Sequence, residues 1–184
     1  MNKKYKLTNE TVIVNGTILY RIQATKDFGH VKAGDLGGFI GSEDNLSHYD
    51  NCWIHGDSQV FENAQVSENA QIYGYVRVSE NAHIFGAARV YEYARVFGNA
   101  WVYSKAQVSG HVWLCGNAHI FGHAHVYGNA CVSENAWVCG DAWVSGEMCS
   151  AHIKVILDSG IWNKVIIINE QYYLVSTTLK KVLM

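Results

Sequence analysis

From Ile54 to Val144 an aliphatic residue recurs at every sixth position without a slip: Ile54, Val60, Val66, Ile72, Val78, Ile84, Val90, Val96, Val102, Val108, Leu114, Ile120, Val126, Val132, Val138 and Val144. Two positions after each stands Gly in ten cases, Glu in five and Ser104 in one; four positions after each stands Ala in 12 of the 16. A period of six is neither the 3.6-residue stripe of a helix nor the two-residue alternation of one long strand. Within the unit, however, Ala, an outward residue and Val alternate as in a short strand. The Gly-Asn or Glu-Asn pair that follows is turn chemistry, since Gly and Asn tolerate positive φ. Each hexapeptide is thus a short strand plus a corner, and strands that always turn the same way wind into a solenoid. Three hexapeptides per turn predict an 18-residue coil of triangular section, with Val filling the interior and Ala where the prism is tight. The stretch makes about five coils, roughly 25 Å tall at about 4.8 Å per coil.

Residues 18 apart then stack on one face. The first face carries Trp53/His55, Gln71/Tyr73, Arg89/Tyr91, Gln107/Ser109, His125/Tyr127 and Trp143/Ser145. The second carries Gln59/Phe61, Arg77/Ser79, Arg95/Phe97, Trp113/Cys115 and Cys131/Ser133; the third carries Gln65/Ser67, His83/Phe85, Trp101/Tyr103, His119/Phe121 and Trp137/Cys139. A contiguous aromatic patch normally marks a contact surface. His83, Phe85, Trp101, Tyr103, His119, Phe121 and Trp137 are therefore the expected contact between copies of the chain. A ladder of rings that stabilises its own sheet and stays wet is the alternative.

Two other constellations carry candidate chemistry. Arg77 and Arg95 fall one coil apart on the second face, and stacked like charges repel unless an anion or a carboxylate answers them. With Arg89, Tyr73, Tyr91 and Phe97 they form a candidate ligand-binding set, guanidinium forks for a phosphate and rings for a base, as a nucleotide would need. The competing reading is solvated arginine paired with corner glutamates such as Glu80 and Glu92. For catalysis, His119, His83 and His125 are the strand histidines that could serve as a general base. Cys115, Cys131 and Cys139 are expected to point outward.

The ends differ from the middle. Thr11–Ile22 reads as two β runs joined by Asn15-Gly16, a strong hairpin signal. Ile40 and Leu46 form an imperfect first coil, with two extra residues before Ile54. After Val144 the period fails; Ile153–Leu157 and Val165–Val175 read as β runs with turns at Asp158-Ser159-Gly160 and Asn169-Glu170. The expected organisation is residues 1–50 as a hairpin cap and irregular first coil, 51–148 as the β-helix, and 149–184 as a C-terminal β cap or oligomerisation segment.

The unbroken hexapeptide pattern resembles the left-handed parallel β-helix, or hexapeptide-repeat, proteins, best known as acyltransferases. The stretch Gly34-Asp35-Leu36-Gly37-Gly38-Phe39-Ile40 with Asn45-Leu46-Ser47 is similar to short bacterial and prophage hexapeptide proteins of the YdcK-like kind. The resemblance implies an all-β, left-handed parallel β-helix and favours a homotrimer. It makes acyl transfer from a coenzyme A thioester the enzymatic hypothesis, with a His base in a cleft between subunits. Against this, no loop interrupts Ile54–Val144, although the family's transferases commonly throw one out to shape the acceptor pocket. The prophage setting suggests a protein that sequesters a nucleotide signal without cleaving it, and a structural or virion interaction protein is the third class.

Composition narrows this further. The 14 Lys and Arg against 16 Asp and Glu give a net charge of −2, which excludes simple binding of nucleic acid polymers. No apolar run reaches the roughly 20 residues of a membrane span. The first residues lack a signal peptide's apolar stretch, and the five Cys form no CxxC pair, so reduced thiols in a cytoplasm are expected and no metal site is indicated. No cofactor is expected unless the coenzyme A reading holds.

Overall fold

The computed structural model describes residues 3–146 and, beyond them, the backbone of strands Lys154–Val155, Asn163–Ile168 and Gln171–Ser176. Two- to four-residue strands stack into three parallel walls, each strand hydrogen-bonded to the one 18 residues away. The first wall runs Trp53, Gln71, Arg89, Gln107, His125 and Trp143, in register throughout. The second runs Gln59, Arg77, Arg95, Trp113 and Cys131. The third runs Gln65, His83, Trp101, His119 and Trp137. This is the parallel β-solenoid read from the sixfold spacing, with walls of the predicted membership.

The interior is the aliphatic column and the Ala column, with Val60 to Val138 and Ala64 to Ala142 almost wholly removed from water. An interior this narrow has no room for larger side chains at the Ala positions, which is why the small residue recurs. The corners are made by the residue two places after each aliphatic one. Gly56, Gly74, Gly86, Gly98 and their equivalents have positive φ, and so do Glu62, Glu68, Glu80, Glu92, Ser104 and Glu134. A side-chain-bearing residue pays about 1–2 kcal/mol for that conformation. At one vertex the glutamates offset it: the carboxylates of Glu62 and Glu80 accept the backbone N–H of Glu80 (2.6 Å) and Gly98 (3.0 Å) in the next coil.

The Asn of the corner pair plays a different part from the one expected. It does not take positive φ; instead its amide joins a ladder. Asn63, Asn81, Asn99, Asn117 and Asn135 pass hydrogen bonds of 3.0–3.2 Å, Nδ2 to Oδ1, up one vertex of the prism.

The N-terminal end is closed by a hairpin of β1 (Tyr5–Val14) and β2 (Thr17–Ala24), turning at Asn15-Gly16 as read from the sequence. A third strand, β3 (Leu36–Ile40), pairs antiparallel with β2 and parallel with Gln59–Val60, so the hairpin extends the second wall. Ile40 pairs with Val60 on the second wall and Leu46 with Val66 on the third, so they form the imperfect first coil, and the second wall stacks six parallel strands from β3 onward. The Gly37-Gly38 pair is needed there. A Cβ on Gly37 would lie 2.6–2.7 Å from Ile22, Trp53 and the Ile54 carbonyl, and one on Gly38 would lie 2.4 Å from the Ser58 carbonyl. Asn45 is buried with all its polar capacity used: Oδ1 accepts from Gly41 and Ser42, and Nδ2 donates to the carbonyls of Glu62 and Ala64.

At the other end, Lys154–Val155 continues the third wall in parallel register with Trp137–Val138. Asn163–Ile168 continues the first wall beside Trp143–Val144 and pairs antiparallel with Gln171–Ser176, so the predicted second β run is a hairpin. The turns predicted at Asp158-Ser159-Gly160 and Asn169-Glu170 lie outside the described residues. Among the described residues no helix is long and apolar enough to cross a membrane.

Candidate functional site

Three outward surfaces concentrate chemistry. On the third wall, alternation sends residues on either side of each buried aliphatic outward, and the 18-residue register stacks them in two columns. In one column Phe85, Tyr103 and Phe121 lie face to face at 5.0 Å, within 7° of parallel. In the other, His83, Trp101, His119 and Trp137 follow at 5.3–5.5 Å with tilted rings. The columns meet edge-to-face, Phe85 on Trp101 at 5.7 Å and Phe121 on Trp137 at 6.1 Å. All seven residues singled out for this face are brought together. None of the wall's outward side chains from Gln65 to Cys139 is Asp, Glu, Lys or Arg. Trp101 and Trp137 are nonetheless 40% and 46% exposed.

His119 sits inside this array. Burial among the rings holds its imidazole below the usual value, so it is neutral near pH 7. No hydrogen-bond partner of its ring is found among the described residues, so nothing fixes a tautomer or orients it as a base. His125, on the first wall, stacks on Trp143 at 4.5 Å and is likewise held down by burial first and by neighbouring His123 second. The three candidate histidines are therefore ring-stacking residues on two walls: His83 and His119 on the third, His125 on the first.

The candidate ligand set is divided by a vertex. Tyr73, Arg89 and Tyr91 stand on the first wall; Arg77, Arg95 and Phe97 stand on the second. Tyr73 stacks on His55 at 4.2 Å, and the Tyr91 hydroxyl donates to Gln107 Oε1 at 3.3 Å. Arg77 and Arg95 are exposed and in direct register, and the Arg95 guanidinium lies 5.1 Å from the centre of the Trp113 ring. The pairing of these arginines with Glu80 and Glu92 does not occur. Among the described residues no carboxylate is within 4 Å of Arg77, Arg89 or Arg95, and Glu80 is turned to the backbone of Gly98 instead.

The vertex itself carries a feature that the column reading missed. Tyr75, Tyr93 and His111 form a third stack, at 5.3 and 4.8 Å and within 6° of parallel, between the two arginine-bearing walls. The same spacing of 18 that stacks the walls also stacks these corner residues.

Three outward assignments are corrected. Trp53 points out from the first wall but is 1% exposed, because the N-terminal cap covers it: Phe28 and Tyr5 meet its ring edge-on at 5.3 and 6.2 Å. Phe61 is buried with Val14, Leu19 and Phe39 under the hairpin. Cys131, a small side chain in register with the broad Trp113, is buried, whereas Cys115 and Cys139 are half-buried. No group of three His, Cys, Asp or Glu suited to a metal occurs among the described residues.

A family model for the YdcK beta solenoid repeat matches residues 124–140, the stretch from Ala124 through the strands of His125, Cys131 and Trp137. No curated protein matches the chain. The matched segment and the stacked coils around it make this a β-helix repeat protein similar to the YdcK kind.

Proposed function

We propose that this protein is a non-catalytic, self-associating binding scaffold whose third wall is the contact between copies, with a closed homotrimer as the assembly. One observation carries the reading: seven stacked rings on a flat wall, without a formal charge among them and with two tryptophans nearly half exposed. Interface cores are rich in aromatic residues and depleted of charge, and closed cyclic assembly is the default for identical subunits. Light scattering on the full chain at micromolar concentration tests it. The wild type gives three times the 20.5 kDa chain mass, and Trp101→Glu, which buries a charge at the centre of the contact, gives a monomer. A monomeric wild type overturns the reading.

The assembly's ligand, on this reading, is a small anion with a flat ring, of the nucleotide class, taken by Arg77, Arg95 and Trp113. The support is a pair of arginines in direct register, with no carboxylate in reach among the described residues and the Trp113 ring beside Arg95. Incubation with a panel of linear and cyclic nucleotides, followed by heat release and mass analysis, recovers an unchanged nucleotide from the wild type and less from Arg95→Ala. Coenzyme A-dependent acyl transfer with His119 as base is the enzymatic alternative. His119, packed among rings and with no hydrogen-bond partner for its ring among the described residues, supports it poorly. Thiol release from acetyl-CoA that disappears in His119→Ala would replace the binding reading.

A further inference from the structure

Lys4 and Cys52 form a buried pair that neither reading uses. Cys52 precedes Ile54 by two, which places it in the inward column that regular coils fill with Ala64, Ala70 or Ala82. It is fully buried, and Lys4, entering β1 from the N-terminus, is 1% exposed. The Lys4 ammonium ends 3.2 Å from Cys52 Sγ. It also donates to the carbonyls of Cys52 (2.9 Å), Tyr49 (3.1 Å) and Asp50 (3.4 Å) and lies 5.0 Å from the centre of the Phe28 ring.

The geometry follows from the irregular first coil. In the stretch between Leu46 and Ile54, two residues longer than a regular repeat, the carbonyls of Tyr49, Asp50 and Cys52 converge on Lys4. Buried carbonyls require donors, and an ammonium brings three. Those three carbonyls already satisfy it. The thiol is therefore surplus to Lys4's hydrogen bonding, yet it stands at contact distance where the repeat elsewhere has a methyl group. Burial pushes Lys4 down and Cys52 up, towards the uncharged amine and thiol. Tyr49, whose carbonyl accepts from Lys4, is itself largely exposed, and with Ser47 and His48 it lines a cavity of about 460 Å³.

We infer that hydrogen peroxide joins Lys4 Nζ to Cys52 Sγ through a single bridging oxygen, locking the N-terminal cap onto the first coil. The first peroxide oxidises the thiol by two electrons to a sulfenic acid and leaves as water. The second oxidises the nitrogen–sulfenate pair by two electrons as the N–O bond forms. Amine, thiol and two peroxides thus give the N–O–S bridge and three waters: one N–H and the S–H bond break, and both O–O bonds are reduced. If the ammonium enters the reaction, its extra proton goes to solvent. An oxygen spans the 3.2 Å gap with little movement, whereas a direct S–N bond would pull Nζ off its three carbonyls.

The test is peptide mapping of the full chain, reduced and then exposed to hydrogen peroxide. The expected product is a peptide containing Lys4 joined to one containing Cys52, heavier than their sum by one oxygen less two hydrogens, about 14 Da. Dithiothreitol restores the separate peptides. Cys52→Ala, which installs the repeat's own residue, melts like the reduced wild type and gives no linked peptide. The bridged wild type melts several degrees higher, because its unfolded chain is constrained. Three results would overturn the inference: Cys52 taken to sulfinic acid with Lys4 free, a direct S–N link lacking the oxygen, or Cys52 intact while Cys115 and Cys139 are oxidised.

Discussion

Replacing Gly110 by Ala tests the corner geometry on which the stacking depends. Gly110 has φ +85°, and a Cβ there would lie 2.4 Å from the Gly128 carbonyl oxygen and 2.8 Å from the Gly128 nitrogen, one coil away. Both are backbone, so neither yields by a side-chain rotation. The same Gly128 carbonyl accepts the His111 N–H at 2.7 Å, and opening the corner stretches that bond. The left-handed conformation costs Ala about 1–2 kcal/mol, the overpacking about 1–3 kcal/mol and the strained hydrogen bond about 0.5–1.5 kcal/mol. These terms overlap, and a total of about 3–5 kcal/mol is expected, on the order of 10 °C in melting temperature for a chain of this size. Gly16→Ala is the control. Its φ is +81°, but nothing lies within 4 Å of the added Cβ, so it carries the conformational cost alone, roughly a third of the effect. Thermal unfolding followed by β-sheet circular dichroism reads both. Equal losses in the two variants would refute the claim that the coils press together at this corner.

Asn99→Ala removes a hydrogen bond on each side of the ladder and should cost about 1–2 kcal/mol, whereas Asn63→Ala, at the ladder's end, should cost about half as much in a urea titration. Stability should fall on acidification: burial is the first cause that holds His55, His119 and His125 below the ordinary value of 6.5. The unfolded chain therefore binds protons first. The stabilisation is complete above about pH 6.5 and is lost as pH drops towards the folded-state values. Melting temperatures between pH 8 and pH 5 check this, and a flat or rising profile on acidification would contradict it. Self-association should weaken over the same range, because acidification places a charge on His119 at the centre of the third wall, and light scattering at the two pH limits reads it.

The walls were legible because one number, the spacing of six, fixes both which side chain points inward and which strand lies 18 residues away. Arg77 over Arg95 and Trp101 over His119 follow from counting alone. What counting could not supply was anything that depends on a second segment. Trp53 occupies an outward position, and only the folded cap, with Phe28 and Tyr5, removes it from water. The Gly37-Gly38 pair reads as a generic turn signal until Trp53, Ile54 and Ser58 are seen against it. Because Asn tolerates positive φ, the sequence points the corner asparagines to the backbone turn; the left-handed position falls instead to the preceding Gly, Glu or Ser, and the amide is free for the ladder. One reading of the arginines pairs them with corner glutamates, but the Glu80 carboxylate is already committed to a backbone N–H of the next coil.

Three tryptophans provide the most direct test of the aromatic wall as a subunit contact. In the single chain Trp101, Trp113 and Trp137 are 40%, 43% and 46% exposed, close enough to react alike with hydroxyl radicals. Only Trp101 and Trp137 stand on the third wall. Radical footprinting of the native chain should find those two protected and Trp113 reactive, with the protection of both lost in Phe121→Glu. Equal labelling of all three in the wild type would contradict the account.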